Sequence, residues 1–162
     1  MDLETLAAQV GERLLRRGFM LVTAESCTGG WVSQSITSVS GSSQWFDRGF
    51  VTYSNAAKVE LLGVSPTALD QYGAVSEPVV RAMAEGALRH SHAQVAVAVS
   101  GIAGPGGGSL EKPVGTVYLA WAGNGMETRS HSQLFMGNRE AVRSQAVAAV
   151  LDGLLDLLRD PP

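Results

Sequence analysis

Thr23-Ala24-Glu25-Ser26-Cys27-Thr28-Gly29-Gly30 follows an apolar run, Phe19-Met20-Leu21-Val22, and precedes a segment from Trp31 to Val39 that can continue as a helix. The apolar run reads as a short buried strand, which places Ser26 at a strand-to-helix turn. Such a turn exposes a side chain at the carboxyl end of a sheet, where the unpaired N–H groups of the new helix converge and favour negative charge. That arrangement suits a nucleophile beside an oxyanion hole. It also suits a plain helix cap, because Ser and Thr are favoured caps and glycine accommodates tight turns.

On the amino-terminal side, Leu3, Leu6, Ala7, Val10, Leu14 and Leu15 recur at helical spacing between Asp2 and Arg17, and Gly18 is a good stop for that helix. On the other side, the helix from Trp31 is expected to fade in the turn-forming run Ser38 to Ser43. Gly49-Phe50-Val51-Thr52-Tyr53 reads as a strand. Asn55 can cap a short helix that carries Lys58 in its first turn and closes at Gly63, with Pro66 in a following turn. Ser76-Glu77-Pro78 predicts a helix to about His90, since proline is tolerated in a first turn.

Val95-Ala96-Val97-Ala98-Val99 is a continuous small apolar strand of the kind buried on both faces. It opens into Ser100-Gly101-Ile102-Ala103-Gly104-Pro105-Gly106-Gly107-Gly108. Strands are predicted from Gly115 to Trp121 and near Thr128 to Phe135, and Asn138 can cap a last helix that Asp160-Pro161-Pro162 ends. Alternating strands and helices followed by adjacent strands predict an α/β layered domain with a mixed sheet covered on both faces. Ligands bind at the carboxyl ends of such strands, so three turns are expected to face one pocket: Ser26, Tyr53 to Lys58, and Ser100 to Gly108.

The chain has 162 residues, enough for one domain with a real core, and its 45% hydrophobic and 17% charged content is that of a globular protein. The net charge of −3 is spread along the chain with no basic run, so nucleic acid is not an expected partner. No apolar stretch is long enough to span a membrane, and Met1-Asp2-Leu3-Glu4 is acidic where a secretory signal is basic. The expectation is a cytoplasmic protein with no membrane partner. A single cysteine, Cys27, leaves no internal disulfide and agrees with a reducing compartment.

The three histidines, His90, His92 and His131, show no metal-ligand spacing, and none lies beside a crevice loop. No metal and no histidine triad is therefore expected, and a serine nucleophile needs another base. Lys58 can serve if burial lowers its pKa from roughly 10.4, and Tyr53 could relay or orient the proton. Each has a plainer role, Lys58 as a solvated helix charge and Tyr53 as a half-buried strand aromatic. Cys27 is either an activated thiol or a small packing residue.

The glycine-rich loop is no P-loop, because Gly107 stands where lysine is required. Its glycines let backbone approach a ligand or form a mobile lid. Arg139 and Arg143, one helical turn apart, either hold a phosphate or are surface charges.

Thr23 to Gly30, Val51-Thr52-Tyr53-Ser54-Asn55 with Lys58, Gly73-Ala74-Val75-Ser76, Gly101 to Gly108, Lys112 to Val117 and Gly137-Asn138-Arg139 together resemble the CinA C-terminal domain family, in order and over nearly the whole chain. Stand-alone members of that family look like nicotinamide-nucleotide amidases, which hydrolyse nicotinamide mononucleotide to nicotinic acid mononucleotide and ammonia. The resemblance implies a three-layer α/β/α domain over residues 1–162 with a mixed, mostly parallel sheet, commonly assembled as a homo-oligomer. It implies a Ser-Lys amidase without metal or cofactor, acting on a small-molecule nucleotide, with Ser26, Tyr53 and Lys58 catalytic. Cys27, Thr28, Gly29, Gly30, Ser100, Gly101, Gly104 and Arg139 are the expected oxyanion and substrate-binding positions. Ser100 departs from the family's usual threonine but keeps a hydroxyl. The alternatives are a non-catalytic nucleotide-binding module and an amidase for another small amide.

Overall fold

The first helix, α1 (Leu3–Arg17), starts where Asp2 accepts the Thr5 N–H at 2.7 Å and stops at Gly18, whose φ of 68° suits a residue without Cβ. Phe19 then donates its N–H back to the Leu14 carbonyl. That closure uses up the first residue of the predicted strand, so β1 runs later than expected, over Leu21–Glu25, and every one of its residues is buried. The other strands are β2 (Phe46–Val51), β3 (Val95–Gly101), β4 (Thr116–Gly123) and β5 (Arg129–Leu134). A computed structural model describes residues 1–160 of the chain and joins these strands in one sheet ordered β2-β1-β3-β4-β5.

β1 pairs in parallel with β2 and β3, whereas β3 to β4 and β4 to β5 are antiparallel. All strands except β4 therefore run in one direction, in keeping with the expected mixed sheet. The central strands β1 and β3 are buried on both sides because helices cover both faces.

One face packs against α1, α2 (Trp31–Thr37) and α6 (Arg139–Leu157), around Val10, Leu14, Ile36, Leu151 and Leu154. The opposite face packs against α3 (Asn55–Leu62), α4 (Pro66–Tyr72) and α5 (Glu77–Arg89), around Leu62, Val80 and Met83. Burying a leucine or methionine in such a layer stabilises the fold by about 1.5–3 kcal/mol. This is the three-layer α/β/α architecture.

Two local expectations shift. α3 is capped by Ser54, which accepts the Ala57 N–H at 3.0 Å, and Asn55 is its first helical residue. The segment at Pro66, expected as a turn, is the helix α4, because Ser65 accepts the Ala68 N–H and Pro66 lacks the N–H that a first turn leaves unpaired. A short 3-10 turn, Ser42–Gln44, follows Gly41 at the end of the predicted loop and runs one residue past it. Pro161 and Pro162, expected to end the last helix, lie outside the described residues, and α6 already ends at Leu157.

Candidate active site

Strand β1 has neighbours on both sides. The chain leaves it through α2 on one face to reach β2, then crosses under the other face through α3, α4 and α5 to reach β3. The carboxyl end of β1 is thus a switch point, where diverging connections leave a crevice. A cleft of about 310 Å³ opens there, lined among others by Ser26, Cys27, Tyr53, Asn55, Lys58, Ser100, Gly101, Gly104 and Arg139. All three predicted turns reach it.

Ser26 Oγ lies 3.0 Å from Lys58 Nζ, and Lys58 Nζ also donates to the Thr52 carbonyl at 2.8 Å. Lys58 is 1% exposed and Ser26 8% exposed. Among the described residues no carboxylate stands within ion-pair distance of Lys58. A buried ammonium without a counter-ion is costly, and burial accordingly pulls the Lys58 amine below its ordinary value, with Cys27 acting in the opposite sense. The uncharged amine is what a base beside a serine requires. Among the described residues neither histidine nor carboxylate lines the cleft.

Ser26 is held from both sides. Its N–H donates to the Val99 carbonyl at 3.0 Å, joining the turn to β3, and its carbonyl accepts the Gly29 N–H at 3.0 Å. Before it stands Glu25, fully buried, whose carboxylate accepts from Thr28 Oγ1, Ser33 Oγ and the N–H groups of Gly30, Val32 and Ser33 at 2.7 to 3.2 Å. Hydrogen bonds to a charged group contribute about 1.5–3 kcal/mol each, and a buried carboxylate needs several to offset its lost hydration.

Glu25 is the residue that motif reasoning passed over. The start of α2 is not an open anion site, because this carboxylate already occupies it. A signal was available: Gly30 offers no capping side chain and α2 has no acid in its first turn, which leaves its first N–H groups to a partner from elsewhere in the chain or to solvent.

The expected oxyanion donors therefore divide. The N–H groups of Gly29 and Gly30 are committed to Ser26 and Glu25, whereas those of Cys27 and Thr28 have no acceptor among the described residues. Cys27 packs in the core beneath the turn, and burial pushes its thiol up to about 11, with the Arg143 charge partly opposing. Arg143 is no exposed phosphate hand. It donates through Nε to the Cys27 carbonyl at 3.0 Å and through Nη2 to the Thr28 carbonyl at 3.1 Å, with its guanidinium 5.4 Å from the centre of the Trp31 ring.

Tyr53 is brought to the cleft mouth and stays 63% exposed. Its hydroxyl accepts from Arg139 Nη2 at 3.1 Å and not from Ser26 or Lys58, which meet directly without a relay. Arg139 Nη1 also donates to the Gly104 carbonyl at 2.7 Å, so Arg139 ties the glycine loop to Tyr53. Ser100 Oγ donates to the Ala74 carbonyl at 2.8 Å, fixing the wall formed by Ala74 and Val75. Gly101 has no room for a side chain: a Cβ there would fall 2.7 Å from Val117 Cγ2. Gly104, at φ 86°, could likewise take none without striking Val114.

Comparison with known proteins bears on the whole chain. Over 153 residues the chain is 57% identical to the nicotinamide-nucleotide amidohydrolase PncC of Pseudomonas putida, covering 94% of this chain and 95% of that one. It is 56% identical, also over 153 residues, to PncC of Enterobacter agglomerans, with 94% and 93% coverage. The crystal structure of the competence/damage inducible protein CihA from Agrobacterium tumefaciens superposes with a TM-score of 0.95 at 44% identity, over 98% of this chain and 97% of that chain. The profile of the CinA C-terminal domain matches residues 3–158. With profile, sequence and backbone in accord over nearly its whole length, the chain belongs to the CinA C-terminal domain family.

Proposed function

We propose that this chain is an amidohydrolase that converts nicotinamide mononucleotide to nicotinic acid mononucleotide and ammonia, in a single catalytic domain, with Ser26 as nucleophile and Lys58 as base. The observation that carries the reaction type is the buried pair of Ser26 Oγ and Lys58 Nζ at 3.0 Å, with no competing base in the cleft. The substrate is inferred from the relatives that bear the name nicotinamide-nucleotide amidohydrolase and match over 94% of the chain.

Neutral Lys58 takes the Ser26 proton as Oγ bonds to the carboxamide carbon, and the carbonyl π-pair moves onto oxygen. The Cys27 and Thr28 N–H groups, free of other acceptors, receive that oxyanion. The Lys58 ammonium passes its proton to the amide nitrogen, the C–N bond breaks and ammonia leaves. Lys58 next removes a proton from water, which attacks the acyl ester, and Ser26 Oγ recovers that proton as the acid departs. The Thr52 carbonyl keeps Nζ in place through both halves.

Arg139, anchored to Gly104 and Tyr53 at the mouth, supplies the positive charge nearest to where the nucleotide's phosphate would lie, and the glycine loop lets that phosphate approach backbone. Tyr53 contributes by steadying Arg139.

The test is ammonia release by purified protein from nicotinamide mononucleotide, nicotinamide riboside and nicotinamide, with EDTA present. Turnover of the mononucleotide with little from the other two is expected. Ser26→Ala should lower that turnover by a factor of about 10³ or more while circular dichroism stays native. Binding of the nucleotide without ammonia release, or near-normal turnover in Ser26→Ala, would overturn the proposal.

A further inference from the structure

Two successive carbonyls of the nucleophile's turn, those of Cys27 and Thr28, end on one guanidinium. A trans peptide is planar, with its C=O and the following N–H pointing in opposite directions. Holding the Cys27 carbonyl therefore fixes the direction of the Thr28 N–H, which projects from the far edge of the same plane. The preceding plane is fixed in the same way, because the Ser26 carbonyl accepts the Gly29 N–H and so directs the N–H of Cys27. These are the two N–H groups of the turn that lack an acceptor among the described residues.

We propose that Arg143 is a positioning residue for the oxyanion donors, locking the Cys27–Thr28 peptide plane from the side opposite its N–H and strengthening that N–H by drawing charge through the carbonyl. The inference rests on the amidase reading above and deepens it.

Several features make Arg143 a fixed part rather than a passing surface contact. It is half-buried on α6, the guanidinium stacks over Trp31 of α2, and Nε and Nη2 donate in a fork that lysine cannot reproduce. Glu25 grips the same segment from the other end through the Gly30, Val32 and Ser33 N–H groups. The donors thus sit between an anchored anion and an anchored cation. Hydrogen bonds in such a chain polarise one another, and a donor held in place before the oxyanion forms needs no reorganisation when it does. Arg139, one turn earlier on the same helix, faces the cleft and would meet substrate, whereas Arg143 is engaged by the backbone of the turn and the Trp31 ring.

The experiment uses the full chain with Arg143→Lys, Arg143→Gln and Arg143→Ala, each checked by circular dichroism. It measures kcat and KM for ammonia release from nicotinamide mononucleotide, Kd for the product nicotinic acid mononucleotide, and the backbone amide 15N shifts of Cys27 and Thr28. We expect kcat to fall about 10- to 100-fold in the Gln and Ala variants and less in Lys, since loss of a whole oxyanion donor costs about 10²–10³. KM and the product Kd should stay within about twofold, the Thr28 amide resonance should move, and methylguanidine should restore part of the activity of Arg143→Ala.

Wild-type kcat in the folded variants, an equal loss in product binding, or an unmoved Thr28 resonance would each overturn the proposal. Absence of turnover in the wild-type protein defeats the amidase reading instead. In that case the Thr28 resonance of Arg143→Lys still decides whether Arg143 holds the plane.

Discussion

Lys58 Nζ meets Ser26 Oγ at 3.0 Å inside a site where Lys58 has no counter-ion among the described residues. Its amine is depressed below the ordinary 10.5 by burial. Between the folded value and 10.5 the unfolded chain holds the proton and the folded chain does not, so stability rises with pH across that window. Below the folded value the full cost of charging the buried amine is present.

Lys58→Met should therefore be inactive yet more stable than wild type at pH 7, by on the order of 1 kcal/mol. In urea melts that advantage should narrow as the pH approaches 10. For the wild-type enzyme, kcat/KM should rise with pH along a limb that levels off below 10.5. An advantage for Lys58→Met that does not change with pH would argue against a depressed amine.

Arg139 bridges Tyr53 Oη and the Gly104 carbonyl, so Tyr53 and Arg139 should act as one unit. Tyr53→Phe and Arg139→Gln are each expected to raise KM about 3- to 10-fold, with a smaller effect on kcat. The double variant should be little worse than the more damaging single one, as happens when two residues share an interaction. Steady-state kinetics on the four proteins checks this. A large fall in kcat confined to Tyr53→Phe would instead favour a proton relay through the phenol.

Cys27 adjoins the nucleophile, but its thiol is pushed up to about 11, so at neutral pH it is protonated and a poor nucleophile. Cys27→Ala should keep kcat/KM within about threefold, and iodoacetamide at pH 7.5 should inactivate the wild-type protein slowly. Rapid alkylation accompanied by loss of turnover would reverse the assignment of nucleophile.

The helices were legible because their signals are local. The spacing of Leu3, Leu6, Val10 and Leu14, the stop at Gly18 and the cap Asn138 need no knowledge of the rest of the chain. The site was legible through residue type, since a serine turn and a lysine-bearing turn at adjacent strand ends must converge once β1 and β2 pair in parallel. The start of β1 was misplaced because helix closure at Gly18 claims Phe19, a competition that hydrophobicity does not register. The partners of Arg139, Arg143 and Glu25 were out of reach for a different reason. Arg143 lies 116 residues from Cys27, and only the packing of α6 beside α2 brings them together.

Ser26 stands at the end of β1 in the central sheet, on the turn that leads into α2, and Lys58 is carried by α3 in the layer over one face. The reactive pair thus joins the sheet to one outer layer like the jaws of a calliper, its gap set by how firmly that layer and the turn into α2 are shimmed against the sheet. A void carved far from the cleft, at Leu62 or Ile36, would slacken that calliper before it dissolved the fold. Heat would then silence the enzyme at a temperature where its spectrum still looked native.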